Sequence, residues 1–253
     1  MNYTFISILF ISVIVVGLIA DFLNKKIHYF NKYIIPFSLS FVLALIFLHI
    51  LPELYHSPTS SIGLYFIIGF VLQIIIELLS KGIEHGHVHA PAHHKGWTLL
   101  FPLMIGLSLH SFIEGMPLIS FNQINVHEHH HHIHNHDAPN TGYIYFIMII
   151  AHKLPVAAIL MVFFMKHIIE KWKRYALLCF FALTAPIGAI VGFTITNNES
   201  TQDVANILLA ISTGMLLHIA TLLVFEKHHE QKEKWSNILL IISGLLLGVI
   251  FYY

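Results

Sequence analysis

A single cysteine, Cys179, stands among the 253 residues, so no intramolecular disulfide can form and a thiolate-built metal centre has one donor at most. Charge is as scarce: Asp, Glu, Lys and Arg make 10% of the chain with a formal sum of zero, while 57% is hydrophobic. The apolar residues come in runs of about twenty rather than in the short patches of a soluble core, which excludes a soluble fold and points to an all-α polytopic membrane protein. Helices of that length satisfy every backbone amide within the segment, whereas a barrel would need an alternating pattern that these runs do not have. The lipid bilayer is the expected partner, and no nucleic acid is.

The runs place eight transmembrane helices over residues 3–23, 34–54, 62–81, 97–120, 142–165, 174–196, 204–225 and 236–253, in one integral membrane domain spanning residues 1–253. The first is read as a retained helix, because Met1-Asn2-Tyr3-Thr4 has no basic residue and the apolar stretch is too long for a signal peptide. With this count, twelve of the thirteen lysines and arginines fall in connections on one side, from Lys25 to Lys234, and none on the other. The positive-inside rule then puts both termini outside the cytoplasm, in the cell or inner membrane. The thirteenth cation, Lys153, is inside the membrane.

Two polar signatures interrupt the spans: His110-Ser111-Phe112-Ile113-Glu114-Gly115 in the fourth and His152-Lys153-Leu154-Pro155 in the fifth. A charged residue at bilayer depth costs about 2.5–3.5 kcal/mol even on the lenient insertion scale, so these groups are expected to be buried against each other or around a ligand. Glu114 follows His110 by four residues, so both project from one helix face, and His152 sits at a similar depth in the antiparallel span that follows. Two imidazoles and a carboxylate are the usual ligand set for zinc or a neighbouring divalent metal. Pro155 has no amide hydrogen for the Ala151 carbonyl and is expected to kink its helix beside His152.

The remaining polar residues rank lower. His49 and Glu53, near the outer end of the second span, pair as a site at the mouth of a pathway or as an interfacial contact. Glu77 and Glu226 lie near the cytoplasmic ends of their helices, where solvated faces are the plainer reading. His218 is deeper in the seventh span, where it either lines a pathway or hydrogen-bonds between helices. Two histidine clusters differ in kind. His85, His87, His89, His93 and His94 occupy a loop over residues 82–96, and His127, His129, His130, His131, His132, His134 and His136 crowd a loop over residues 121–141. Neutral imidazoles at such density collect zinc, copper or nickel weakly, so metal capture outside and buffering inside are expected, against a tolerated low-complexity tract. His127-Glu128-His129-His130-His131 matches the His-Glu-x-x-His pattern of metalloproteases, but in a histidine-rich loop the match arises by chance, and no enzymatic activity is expected.

Taken together, His-x-x-x-Glu-Gly in the fourth span, His-x-x-Pro in the fifth, His49-Ile50-Leu51-Pro52-Glu53 in the second and a histidine-bearing loop after the third make the chain resemble the ZIP (Zrt-/Irt-like) family of divalent metal transporters over essentially its whole length. The resemblance implies uptake of a divalent metal into the cytoplasm, a three-two-three helix arrangement with an inverted repeat, and a homodimer. Relatives with two metals commonly carry Asn after the first histidine, an acidic residue after the fifth-span histidine and a further ligand after its proline. Here those positions are Ser111, Lys153 and Val156, and Ala185 stands where some relatives carry an acid. A single metal held by His110, Glu114 and His152, completed by water or Ser111, is therefore expected. Lys153 would take the place of a second cation. Zinc is the first expectation for the transported metal, with iron, manganese or cadmium as others that suit the same donors, and no organic cofactor is expected. The alternatives are a metal exporter of another class, which would usually have six spans and a cytosolic domain, and a haem-binding electron carrier, in which Glu114, Lys153 and Pro155 would have no clear use.

Overall fold

The computed structural model describes residues 3–23, 25–80, 96–118, 141–168, 170–196, 202–226 and 234–252. Among them the regular elements are all helical: α1 (Tyr3–Leu23), α2 (Lys25–Leu45), a π-helical turn (Ile46–Ile50), α3 (Leu51–His56), α4 (Ile62–Leu79), α5 (Gly96–Gly115), α6 (Thr141–His167), α7 (Lys171–Thr196), α8 (Gln202–Glu226) and α9 (Lys234–Ile250). Six helical stretches of the described residues are long and apolar enough to cross a membrane, and the apolar stretches Leu100–Gly115 and Trp235–Ile250 are shorter.

The stretch from α2 through the π-helical turn to α3 carries an irregularity that the sequence pattern does not announce. Pro52 has no amide to offer the Leu48 carbonyl, and the chain widens by one residue just ahead of it, the Leu51 amide reaching back to the Ile46 carbonyl. His49 sits in this widened turn. Pro155, by contrast, is accommodated inside α6, which continues from Thr141 to His167. The Ala151 carbonyl, four residues back, receives the Ser38 hydroxyl of α2 instead of an amide. Such side-chain replacement is how a membrane helix tolerates proline.

Helix α6 is largely enclosed and contributes to both large apolar clusters, one formed with α2, α8 and the π-helical turn among others and the other with α1, α5 and α7. Helix α4 is at the other extreme: Leu64, Ile67, Ile68, Val71, Ile74, Ile75 and Leu78 are all exposed from it, a surface suited to acyl chains and not to water. The principal packing partners are α4 with α8, α2 with α9, α5 with α7, α1 with α6 and α7, and α2 with α6. Glycine permits the closest of these approaches, because a Cβ on Gly69 would collide with the Ile211 carbonyl oxygen and one on Gly115 with that of Ala185.

Polar clamps fix both the α1–α7 pair and the entrance to α4. Tyr175 donates to Asp21 Oδ2 at 2.5 Å while the Arg174 guanidinium lies 3.8 Å from Oδ1. Thr59, in the turn before α4, donates to Asp203 Oδ1 at 2.8 Å and accepts from Asn206 at 3.0 Å.

Candidate metal centre

The one-turn spacing on α5 stacks His110 and Glu114, and α6 brings His152 against them. His110 Nε2 lies 3.7 Å from Glu114 Oε2, and the two imidazole rings stand edge to face with centroids 5.6 Å apart. One donor atom from each of the three side chains falls within 4.8 Å of the other two, a separation that a single cation can bridge. All three are buried, at 3%, 1% and 5% exposure for His110, Glu114 and His152. Glu114 Oε1 and His152 Nδ1 have no hydrogen-bond partner among the described residues. A carboxylate oxygen and an imidazole nitrogen left bare at this depth are costly unless a ligand takes them up.

Four neighbours shape this trio. The Lys153 ammonium donates to Glu114 Oε2 at 2.8 Å and lies 5.7 Å from the centre of the Phe181 ring. Gln73 of α4 accepts from His110 Nδ1 at 3.0 Å. Tyr145, wholly buried on α6, donates to the Glu114 backbone carbonyl at 2.7 Å and touches the Ser212 hydroxyl of α8. That carbonyl lies in the last turn of α5, so the tyrosine ties the end of that helix to α6. Ser111 pairs with Thr184 at 2.6 Å, which joins α5 to α7 beside the trio.

The other predicted residues lie apart from the trio. His218 Nε2 meets Glu77 Oε2 at 2.8 Å across the α4–α8 contact, with the Phe70 ring edge-on to the imidazole. Glu77 is thus half-buried and paired, and not an ordinary solvated face. His49 lies edge-on to Tyr252 with centroids 5.4 Å apart, while Glu53 is exposed. The side chain of Glu226 and both histidine clusters, over residues 82–96 and 121–141, lie outside the described residues.

Gln73, Tyr145, Thr184 and Ser38 escaped the sequence reading. Gln73 alone left a signal, as a lone amide in the apolar run of α4, one turn before Glu77. The hydroxyl residues carry no such mark, because Ser, Thr and Tyr occur throughout membrane helices.

The fold and the buried trio define an α-helical integral membrane protein with a candidate site for a transition-metal cation in its interior. A family model described as ZIP Zinc transporter matches residues 94–253, which include the three candidate ligands, and the chain belongs to that family. It is 31% identical over 179 residues to Protein zntD of Dictyostelium discoideum, covering 66% of this chain and 23% of that protein. It is 25% identical over 173 residues to Zinc transporter ZIP9 of Micropogonias undulatus, covering 64% of this chain and 50% of the relative. The matched part therefore spans half or less of each of these relatives.

Proposed function

We propose that the chain is a secondary carrier that takes a divalent metal, zinc first, into the cytoplasm through one site near the membrane midplane. The observation that carries this reading is the convergence of His110, Glu114 and His152 within 4.8 Å in the interior of the helix bundle. Two nitrogens and one carboxylate oxygen leave a fourth position of a tetrahedral shell for water, which suits a cation that must be released again. Family membership, and relatives whose names include a zinc transporter, agree with it.

Lys153 supports one metal and not two. Its ammonium already occupies the neighbourhood of Glu114 Oε2, where a second cation would meet its charge directly, while Oε1 remains for the first. The one-sided distribution of the loop cations orients both termini away from the cytoplasm under the positive-inside rule, and the import direction is taken from the resemblance to the ZIP family.

Eight crossings in an inverted repeat are part of the same proposal, taking α2, the π-helical turn and α3 as one rod. Exchange of α1 with α7, of α2 with α8, of α4 with α9 and of α5 with α6 turns the α1–α6 packing into α7–α5 and the α2–α9 packing into α8–α4, and all four contacts occur. Such symmetry favours alternating access, in which the two halves exchange conformations around a fixed site. His218 and Glu77 are assigned to the route between that site and the cytoplasm, and the outer histidine loop to metal capture.

Radioactive zinc uptake into proteoliposomes, for the wild type beside His110→Ala and His152→Ala and with manganese, iron and cadmium as competitors, tests the proposal. Saturable uptake abolished by both substitutions in folded protein supports it, and the competitors rank selectivity. Uptake that survives both would show that the trio is not the transport site.

A further inference from the structure

Gln73 is the feature for which the metal trio itself gives no reason. It is fully buried, on a helix whose face at Leu64, Ile67, Val71, Ile74 and Leu78 is exposed apolar surface. Burial of an amide is unfavourable unless its polar atoms are bonded, and its carboxamide oxygen lies 3.0 Å from His110 Nδ1. An oxygen in that position accepts only from an Nδ1 that carries hydrogen. A neutral imidazole has one hydrogen, so the lone pair is then on Nε2, the nitrogen facing Glu114 at 3.7 Å.

We infer that Gln73 is a positioning residue of the transport site: its carboxamide oxygen holds His110 in the Nδ1–H tautomer, which aims the Nε2 lone pair at the place where a cation would meet Glu114 and His152. The inference rests on the proposed metal site. Once Nε2 is engaged by a cation, Nδ1 must keep its hydrogen, and Gln73, buried beside it, is placed to receive it. The contact also brings α4 into a site whose ligands come from α5 and α6 alone. An amide does this without adding a second negative charge beside the Glu114–Lys153 pair. A carboxylate at position 73 would accept the same hydrogen more strongly and raise the basicity of the imidazole.

Two measurements on the purified full chain test this. The first is zinc binding by competition with a chelating dye, for the wild type, Gln73→Leu, Gln73→Glu and His110→Ala, counting only the zinc that His110→Ala loses so that the histidine loops cancel. Removal of such a supporting partner typically weakens metal affinity about 10–100-fold. Gln73→Leu should therefore lose affinity in that range while Gln73→Glu, which can only accept, retains or exceeds the wild-type value. The second is nitrogen-15 spectroscopy of labelled histidine in metal-free protein. The His110 signals should show the Nδ1–H form in the wild type and in Gln73→Glu, and a tautomer mixture in Gln73→Leu. Wild-type affinity and an unmixed tautomer in Gln73→Leu would overturn the role of Gln73 while the site stands. Equal zinc binding by the wild type and His110→Ala would instead overturn the site itself, and the positioning role with it.

Discussion

Lys153 Nζ and Glu114 Oε2 are 2.8 Å apart, with side-chain exposures of 2% and 1%. Each charge is set against the other in the interior, and both side chains are shielded from the solvent-accessible surface. The attraction offsets the desolvation of both groups only while both are present, so the pair is far more sensitive to removal of one partner than of both.

Replacing Lys153 with Met should therefore destabilise the metal-free protein by about 3–5 kcal/mol, the usual consequence of stranding one buried charge. Zinc would supply the missing positive charge, so added zinc should raise the unfolding temperature of Lys153→Met more than that of the wild type. The double variant Glu114→Gln/Lys153→Met should be less destabilised than the sum of the two single changes. Thermal unfolding in detergent, with and without zinc, reads all three. An unchanged melting temperature for metal-free Lys153→Met would show that the pair contributes nothing to stability.

The convergent trio was legible in the sequence because ionisable groups at bilayer depth are rare enough to stand out, and helical spacing alone stacks His110 on Glu114. The apolar runs gave the helices for a similar reason. The supporting groups were hidden because they depend on distances between helices remote in the chain. Tyr145 reaches the Glu114 carbonyl across 31 positions and Gln73 reaches His110 across 37, and no periodicity within one helix encodes such pairs. Pro155 shows the same limit. Its missing amide was evident, but the Ser38 hydroxyl that replaces it at the Ala151 carbonyl comes from another helix 113 positions away. The widened turn at Ile46–Ile50 likewise reflects the local competition around Pro52, which sequence pattern leaves open.

Lys153→Glu tests the place of the lysine as a stand-in for a second cation. Two carboxylates close together repel when the site is empty and attract divalent metal, so zinc affinity or stoichiometry should rise and the metal-free protein should become less stable. Titration of purified protein against zinc, with the His110→Ala background subtracted, measures both. An unchanged single-site curve together with unchanged uptake would remove the cation-substitute role from Lys153.

Tyr145→Phe removes only a hydroxyl, yet it leaves the Glu114 backbone carbonyl without the donor now 2.7 Å away and takes a partner from Ser212. Leaving a buried acceptor unsatisfied costs about 1–3 kcal/mol. Stability should fall by that amount, and zinc affinity with it, because the carbonyl belongs to the residue whose carboxylate is the candidate metal ligand. A stable variant with wild-type affinity would mean that α5 holds Glu114 in place without the tyrosine.

Glycines that look alike in sequence should respond differently to a single added methyl. At Gly69 a Cβ would meet the main-chain carbonyl of Ile211, which cannot turn aside without moving α8. At Gly63 it would meet the Tyr55 hydroxyl oxygen at 3.0 Å, the far end of a side chain exposed at the surface and free to swing. Overpacking of a close contact typically costs about 1–3 kcal/mol. Gly69→Ala should fall in that range and loosen α4 from α8, whereas Gly63→Ala should be nearly neutral. The separation of α4 and α8 would also pull Glu77 from His218 and Gln73 from His110, since both acceptors ride on α4. Gly69→Ala should therefore weaken zinc binding in addition to lowering the melting temperature, and parallel unfolding and zinc titrations of the two variants decide it. Equal stability of the two would show that α4 and α8 have room to spare at Gly69, and intact zinc binding in a destabilised Gly69→Ala would show that the α4–α8 contact does not support the site.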